Sequence, residues 1–333
     1  QCIMHVTFTQ IPQNGASYLK PAIYEFEFDA ASEDPLIRIL STEGEELGRK
    51  ILHGSHSSGR TDIAPYLRQS ISHEMPSAED EAMIIDTNCH RKVVVEVGGV
   101  ESEPRTFIAA EIDLTQHVTL LTTQIDYRTM AYDEFDTIGF VNVDANPLEV
   151  VITAYDKASQ ILSSKSLYTN VQMRQLALLV TPKEFGSKVK RITVDFTAKG
   201  SSVGTIEYEI RNNLTTAQRI GWINEYHAIE CYTFPLRKSL LVEATRKRME
   251  SIWGREAAAL ESDNELKIIS AYEPQKQTEA LMKILSSPKI WLIRDGQPMT
   301  VELYTDRVLS APCEGMGFVE LDLRAAEKGV RLW

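Results

Sequence analysis

Gly54-Ser-His-Ser-Ser-Gly59-Arg60-Thr61 has the glycine spacing of a phosphate-binding loop. In such a loop backbone N–H groups cradle phosphates, a lysine reaches the terminal ones and a hydroxyl holds magnesium. Arg60 stands where that chemistry uses a compact ammonium. Pro65 falls where the following helix should already be established, so the stretch reads as a hairpin loop. His53 and His56 would share a metal only on a helical or tightly turned backbone. His5, His73 and His90 are too dispersed to complete that site, and the loop histidines read as solvated. Tyr132-Asp-Glu-Phe-Asp136 concentrates carboxylates but lacks the spacing, the glycine and the distal glutamate of a calcium loop. It reads as a solvated acidic loop. No GxSxG elbow is present and no Cys/His arrangement stands out. Glycosidic hydrolysis needs two carboxylates across a cleft, and nothing marks a pair among 47 acidic residues. The chain is read as non-enzymatic, with no catalytic residue, no metal and no cofactor.

Cys2, Cys89, Cys231 and Cys313 lie far apart without a CxxC, which points to free buried thiols. A net charge of −12 repels phosphate backbones and anionic lipid surfaces, so neither nucleic acid nor a membrane surface is an expected partner. No apolar run approaches the ~20 residues of a membrane span, so no membrane insertion is expected. Basic residues gather only at Arg237-Lys238 and Arg246-Lys-Arg248, without the interleaved aromatics of a single-strand binder. They read as a solvated strand edge or helix face, or as a contact with an acidic partner. Asn213-Leu-Thr215 fits a glycosylation acceptor, a short pattern that also arises by chance. The chain starts at Gln1, so a removed N-terminal segment is expected and a leader peptide stays open.

The elements that must position these residues have a period of two. Ile23–Phe28 places Tyr24, Phe26 and Phe28 on one face and Ile23, Glu25 and Glu27 on the other. Lys92–Val97, Glu149–Tyr155 and Thr205–Ile210 behave alike, as half-buried antiparallel strands require. Turn signals recur at Thr42-Glu-Gly44, Gly98-Gly99, Asn146-Pro147 and Lys199-Gly200. This spacing predicts a mainly β chain with two Ig- or fibronectin-like β-sandwich modules, 1–112 and 113–213. A β-rich C-terminal module, 214–333, follows. It holds one amphipathic helix over 275–286, stopped by Pro288. A hairpin, Ile290–Ile293 and Met299–Tyr304 around Asp295-Gly296, and a closing strand, Phe318–Leu323, complete it. Leu236–Ile252 is charged and could form a helix, yet Leu240–Thr245 also suits a strand, and the stretch is read as a strand.

Arg219-Ile-Gly-Trp222-Ile-Asn224-Glu-Tyr-His227-Ala-Ile-Glu-Cys-Tyr232-Thr-Phe234 resembles a Trp-x-Asn, turn, Tyr-x-Phe pattern in proteins encoded by phages and prophage-like elements of Bacteroidetes. His227 stands in the turn where that group has glycine. The later helix, Ser287-Pro288 and the hairpin after it follow the group's order. Thr61–Arg68 and Pro104–Phe107 resemble its first module. The resemblance implies a tail-associated structural component of a virion or phage-like particle, assembled in the cytoplasm and acting through contacts with itself or other particle proteins. It supplies no active site. Trp222, Asn224, Tyr232 and Phe234 are expected to belong to the core rather than to a site, the three rings burying their area in the third module. The rival expectation is a secreted or surface-anchored β-sandwich protein that binds glycans or host protein. The stoichiometry, the partner and the cysteine redox state are not encoded in any of these patterns.

Overall fold

The alternating segments form strands, and the residues on their apolar faces close three cores. The computed structural model describes residues 5–29, 34–53, 57–77, 79, 81–144, 146–211, 216–251, 254–308 and 315–326. Side chains are described outside 237–251 and 255–264. The chain is mainly β, as its periodicity requires.

The first sandwich comprises β1 (Val6–Gln10), β2 (Ile23–Phe28), β3 (Leu36–Ser41), β4 (Glu46–Ile51), β5 (Ser58–Asp62), α1 (Ala64–Gln69), β7 (His90–Val97) and β8 (Arg105–Ile108). One sheet runs β1-β2-β5. The other runs β8-β7-β3-β4, with the short Ala16–Ser17 strand beside β8. Tyr24, Phe26 and Phe28 face Ile37, Ile39, Val93, Val95, Val97 and Phe107 across the core. Each aromatic ring removes on the order of 150–250 Å² from water.

The intervening β6 (Met83–Asp86) lies within the stretch read as the first module, yet it hydrogen-bonds to the second sandwich. That sandwich is built from β9 (Val118–Leu120), β10 (Tyr127–Ala131), β11 (Asp136–Asn142), β12 (Leu148–Tyr155), β13 (Ile161–Thr169), β14 (Gln175–Val180), β15 (Arg191–Ala198) and β16 (Ser201–Arg211). Its sheets run β9-β11-β14-β6 and β10-β16-β15-β12-β13. β10 pairs with β16 in parallel, and the other pairs in both sheets are antiparallel.

The third body contains β17 (Gln218–Ile223), β18 (Ile229–Phe234), β19 (Leu236–Ser251), β20 (Gly254–Ile269), α2 (Gln275–Met282), β21 (Ile290–Arg294), β22 (Gln297–Leu303) and β23 (Glu320–Ala325). A 3-10 turn, Lys283–Ser286, extends α2 to the predicted end of the helix. Its seven-stranded sheet has the order β18-β17-β21-β22-β23-β20-β19, and Glu273–Pro274 pairs with Met316–Gly317 in a separate two-stranded sheet. Leu281 and Ile284 close its core over Trp222, Phe234, Leu292 and Leu321. Leu240–Thr245 is strand, within β19.

β11, β14 and most of β18 are buried on both faces. Phe135, Leu179, Ile223, Cys231, Trp291 and Ile293 pack together between the second sandwich and the third body. This second layer of cover removes the alternation expected of a half-exposed strand. Among the described residues, no helix is long and apolar enough to cross a membrane.

Candidate functional site

The motif residues organise a hairpin. β17 and β18 pair with Ile220 opposite Tyr232 and Trp222 opposite Glu230. Trp222 and Phe234 are fully buried at 0% exposure. Tyr232 stacks edge-on to Phe234 at 5.0 Å, and its hydroxyl donates to Glu273 Oε1 at 2.6 Å. Asn224 begins the turn. Its Oδ1 accepts from the Tyr226 and Ala228 amides at 2.9 and 3.0 Å, and its Nδ2 donates to Leu121 O at 2.9 Å. One side chain thus shapes the turn and ties it to the second sandwich. His227 adopts φ +55°, the left-handed conformation that glycine takes without strain.

Beside this hairpin lies a buried ionic cluster. Asp136, in the stretch read as a solvated acidic loop, is only 1% exposed. Its carboxylate accepts from Arg128 Nη1 at 3.1 Å, Tyr208 Oη at 2.8 Å and Arg219 Nη2 at 3.1 Å. The reading fails because local acidity carries no record of two arginines arriving from β10 and β17. Burial opposes the charge on Arg128, but Tyr208, Asp136 and Glu230 outweigh it and hold the guanidinium firmly protonated. Glu230 accepts from Thr122 Oγ1, the Thr123 amide and hydroxyl, and the Gln124 amide, at 2.5 to 3.3 Å. Gln277 of α2 completes the clamp. It donates to Gln124 Oε1 and accepts from the Ile125 amide, both at 3.0 Å. Sequence reasoning missed Arg128, Glu230 and Gln277. Glu230 carried a signal, a charge inside the apolar run Ala228–Cys231, whereas Arg128 and Gln277 stand among polar neighbours and carried none.

Cavities flank the junction. One, of about 190 Å³, lies between Arg128, Arg211, Arg219, Tyr232, Glu273 and Gln277. Tyr127 and Tyr272 at its edge are 51% and 69% exposed. Burial raises the Glu273 carboxyl above its ordinary range. The second, of about 270 Å³, holds His73 and His227, whose Nε2 and Nδ1 lie 3.2 Å apart. Burial, then His227 and Lys289, lower the His73 imidazole to about 4.

The other sequence candidates separate. Gly59, Arg60 and Thr61 are inside β5, and a Cβ on Gly59 would meet the Phe26 ring at 2.5 Å. That glycine serves packing, and no phosphate cradle forms on its strand. His56 and most of the loop before it lie outside the described residues, and His53 Nδ1 pairs with Asp34 Oδ2 at 2.7 Å. Among the described residues, no group of three or more His, Cys, Asp or Glu gathers as a metal site. Cys89 and Cys231 are free and buried, while Cys2, Cys313 and the Asn213 acceptor lie outside the described residues.

The remaining feature is the β19–β20 ribbon. The two strands pair from Leu236–Ile269 to Ser251–Gly254. On β20, β23 reaches only Glu265–Ile269. Among the described residues, nothing pairs with the outer edge of β19, and nothing but β19 pairs with Glu256–Asn264 of β20. The ribbon runs roughly 35 Å past its sheet at about 3.3 Å per residue. The side chains of Arg237, Lys238 and Arg246–Arg248 in it lie outside the described residues.

No family model and no curated protein matches the chain. Among solved structures, a β-glycosidase from Bacteroides vulgatus superposes with a TM-score of 0.21 and 11% identity, covering 62% of this chain and 24% of its own. The BSP domain of a biofilm associated protein superposes with a TM-score of 0.18 and 9% identity, covering 62% and 30%. The chain spans less than a third of either protein. Likeness at this level carries no argument about fold or activity.

Proposed function

We propose that this chain is a non-enzymatic structural protein of a phage tail or phage-derived particle, acting through protein–protein contacts. The projecting ribbon carries the reading. An isolated two-stranded ribbon is marginal in water, and its unpaired N–H and C=O groups are a template for another chain. Such an element is costly to keep unless a partner covers it. The motif resemblance supplies the particle context and the virion location, and the rigid junction supplies a firm base for the arm. The test is the mass in solution, by size-exclusion chromatography with light scattering over a wide concentration range. It compares the full chain with a variant in which 240–264 is replaced by an Asn-Gly turn. A discrete oligomer that becomes a folded monomer without the ribbon is expected. A mass that is the same with and without the ribbon overturns the reading.

A second reading is a secreted or surface protein that binds glycans or host protein. Tyr127 and Tyr272 favour it, because exposed rings beside Arg211, Glu273 and Gln277 are the stacking and hydrogen-bonding groups a sugar uses. Saturable glycan binding abolished by Tyr272→Ala would establish it, and no binding across a broad glycan panel would remove it.

A further inference from the structure

We infer that the ribbon of one copy of this chain adds to the open edge of β13 on a second copy. This rests on the assembly reading above and names the surface that receives the ribbon. β13 ends its sheet, and among the described residues β12 is the one strand that pairs with it. No backbone hydrogen bond from a described turn or loop reaches it either.

β13 is nine residues long, whereas the other edge strands of the two sandwiches run from two to six. Short length and charged side chains are what protect an edge from pairing with another chain. β13 has little of either. Its one charged residue, Lys165, donates to Glu184 Oε1 at 2.6 Å and is matched there. Ile161 and Tyr168 stand 66% and 65% exposed along it, with Leu162 beside them. A long edge of this kind accepts an added strand, with main-chain hydrogen bonds supplying the affinity.

The same chain carries a strand to add. The nine residues 256 to 264 of β20 pair with β19 alone, so the free length of the ribbon matches that of β13. Within one copy the two do not pair among the described residues. Because the ribbon projects past its sheet, its backbone can lie along another body. Docking there satisfies both open edges at once and covers Ile161 and Tyr168. The chain's charge of −12 opposes association, and an edge whose single cation is already matched adds no further repulsion. A contact of β13 with β13 would leave the ribbon bare. Ribbon on β13 is heterologous, so it repeats head-to-tail until a ring closes or a filament grows.

Variants of β13 test the seat. Successive N–H groups of a strand point to opposite edges, so one of Ser163→Pro and Ser164→Pro removes a donor from the outer edge alone. Circular dichroism shows which of the two stays folded. A further variant, Leu162→Ser with Tyr168→Ser, alters only exposed side chains and keeps every N–H. By light scattering, the folded variants are expected to assemble at least tenfold more weakly than the unaltered chain. Mixing is the sharper readout. The chain lacking 240–264 keeps β13, and the β13 variant keeps its ribbon, so the two together should form a one-to-one complex although each alone is a monomer. Unchanged assembly of the folded β13 variants, or a mixture that stays monomeric, overturns the ribbon–β13 contact. If removal of 240–264 still dissolves the oligomer in that case, the assembly reading survives with a different contact. If removal of 240–264 leaves the mass unchanged, both fall.

Discussion

Arg219 and Asp136 join the second sandwich to the third body through a 3.1 Å contact between groups that are 3% and 1% exposed. The same carboxylate takes Arg128 at its other oxygen. One buried anion therefore stands between two buried cations from different strands. Arg219 also donates to Phe135 O at 2.7 Å and Thr233 Oγ1 at 2.9 Å, so its charge is held by backbone as well. An arrangement of this kind resists sliding of the bodies because any shift strands a desolvated charge.

Asp136→Asn keeps the shape and removes the anion. It leaves two guanidiniums without their shared counter-charge, and the expected loss is about 3–5 kcal/mol. Denaturant unfolding of the variant beside the unaltered chain measures it. A loss below about 1 kcal/mol would mean that Glu134 and Glu230 neutralise the cluster unaided.

Gly139 sits where β11 meets the Asn224–Ala228 turn. A Cβ there would lie 2.6 Å from the Ala228 Cβ, closer than two carbons can approach. Gly139→Ala should destabilise by about 1–3 kcal/mol through overpacking. Adding Ala228→Gly should return part of that loss in a double-mutant cycle, whereas additive costs would place the clash elsewhere.

His73 titrates from about 4 in the folded chain against an ordinary 6.5. Between these values the unfolded chain binds more protons, so stability falls as pH drops from about 6.5 to about 4. The contribution is about 1 kcal/mol after discounting for screening of a half-buried group. His73→Gln should flatten the stability–pH curve in that window, and a curve identical to the unaltered chain would assign the slope to other groups.

Cys89 and Cys231 should resist alkylation in the native state. Burial raises Cys89 to about 11 and Cys231 further, so almost no thiolate exists near neutrality. Peptide mapping after iodoacetamide should find both labelled only after denaturation. Rapid native labelling of either would show that its surroundings open readily.

The amino-acid sequence by itself determined the strands, because a period of two needs only local chain geometry and an apolar face. Ile23–Phe28 buries Tyr24, Phe26 and Phe28 as its pattern requires, and α2 stops before Pro288 because that ring cannot continue a helix. It also determined that Trp222 and Phe234 enter a core. Tertiary structure alone decided what the polar residues do. Asp136 reads as solvent-facing beside Asp133 and Glu134, and becomes buried only when Arg128 and Arg219 arrive from strands distant in sequence. β6 reads as part of its own neighbourhood, yet its hydrogen bonds lie with β14, since an edge strand pairs with whichever edge the packing presents. The ribbon shows the same division. Its strands follow from local pattern, while the edge of β20 left unpaired follows from the β23 pairing ending at Arg324 opposite Glu265. Periodicity is a property of neighbours along the chain, but charge pairing and edge cover are set by distances that only the folded chain creates.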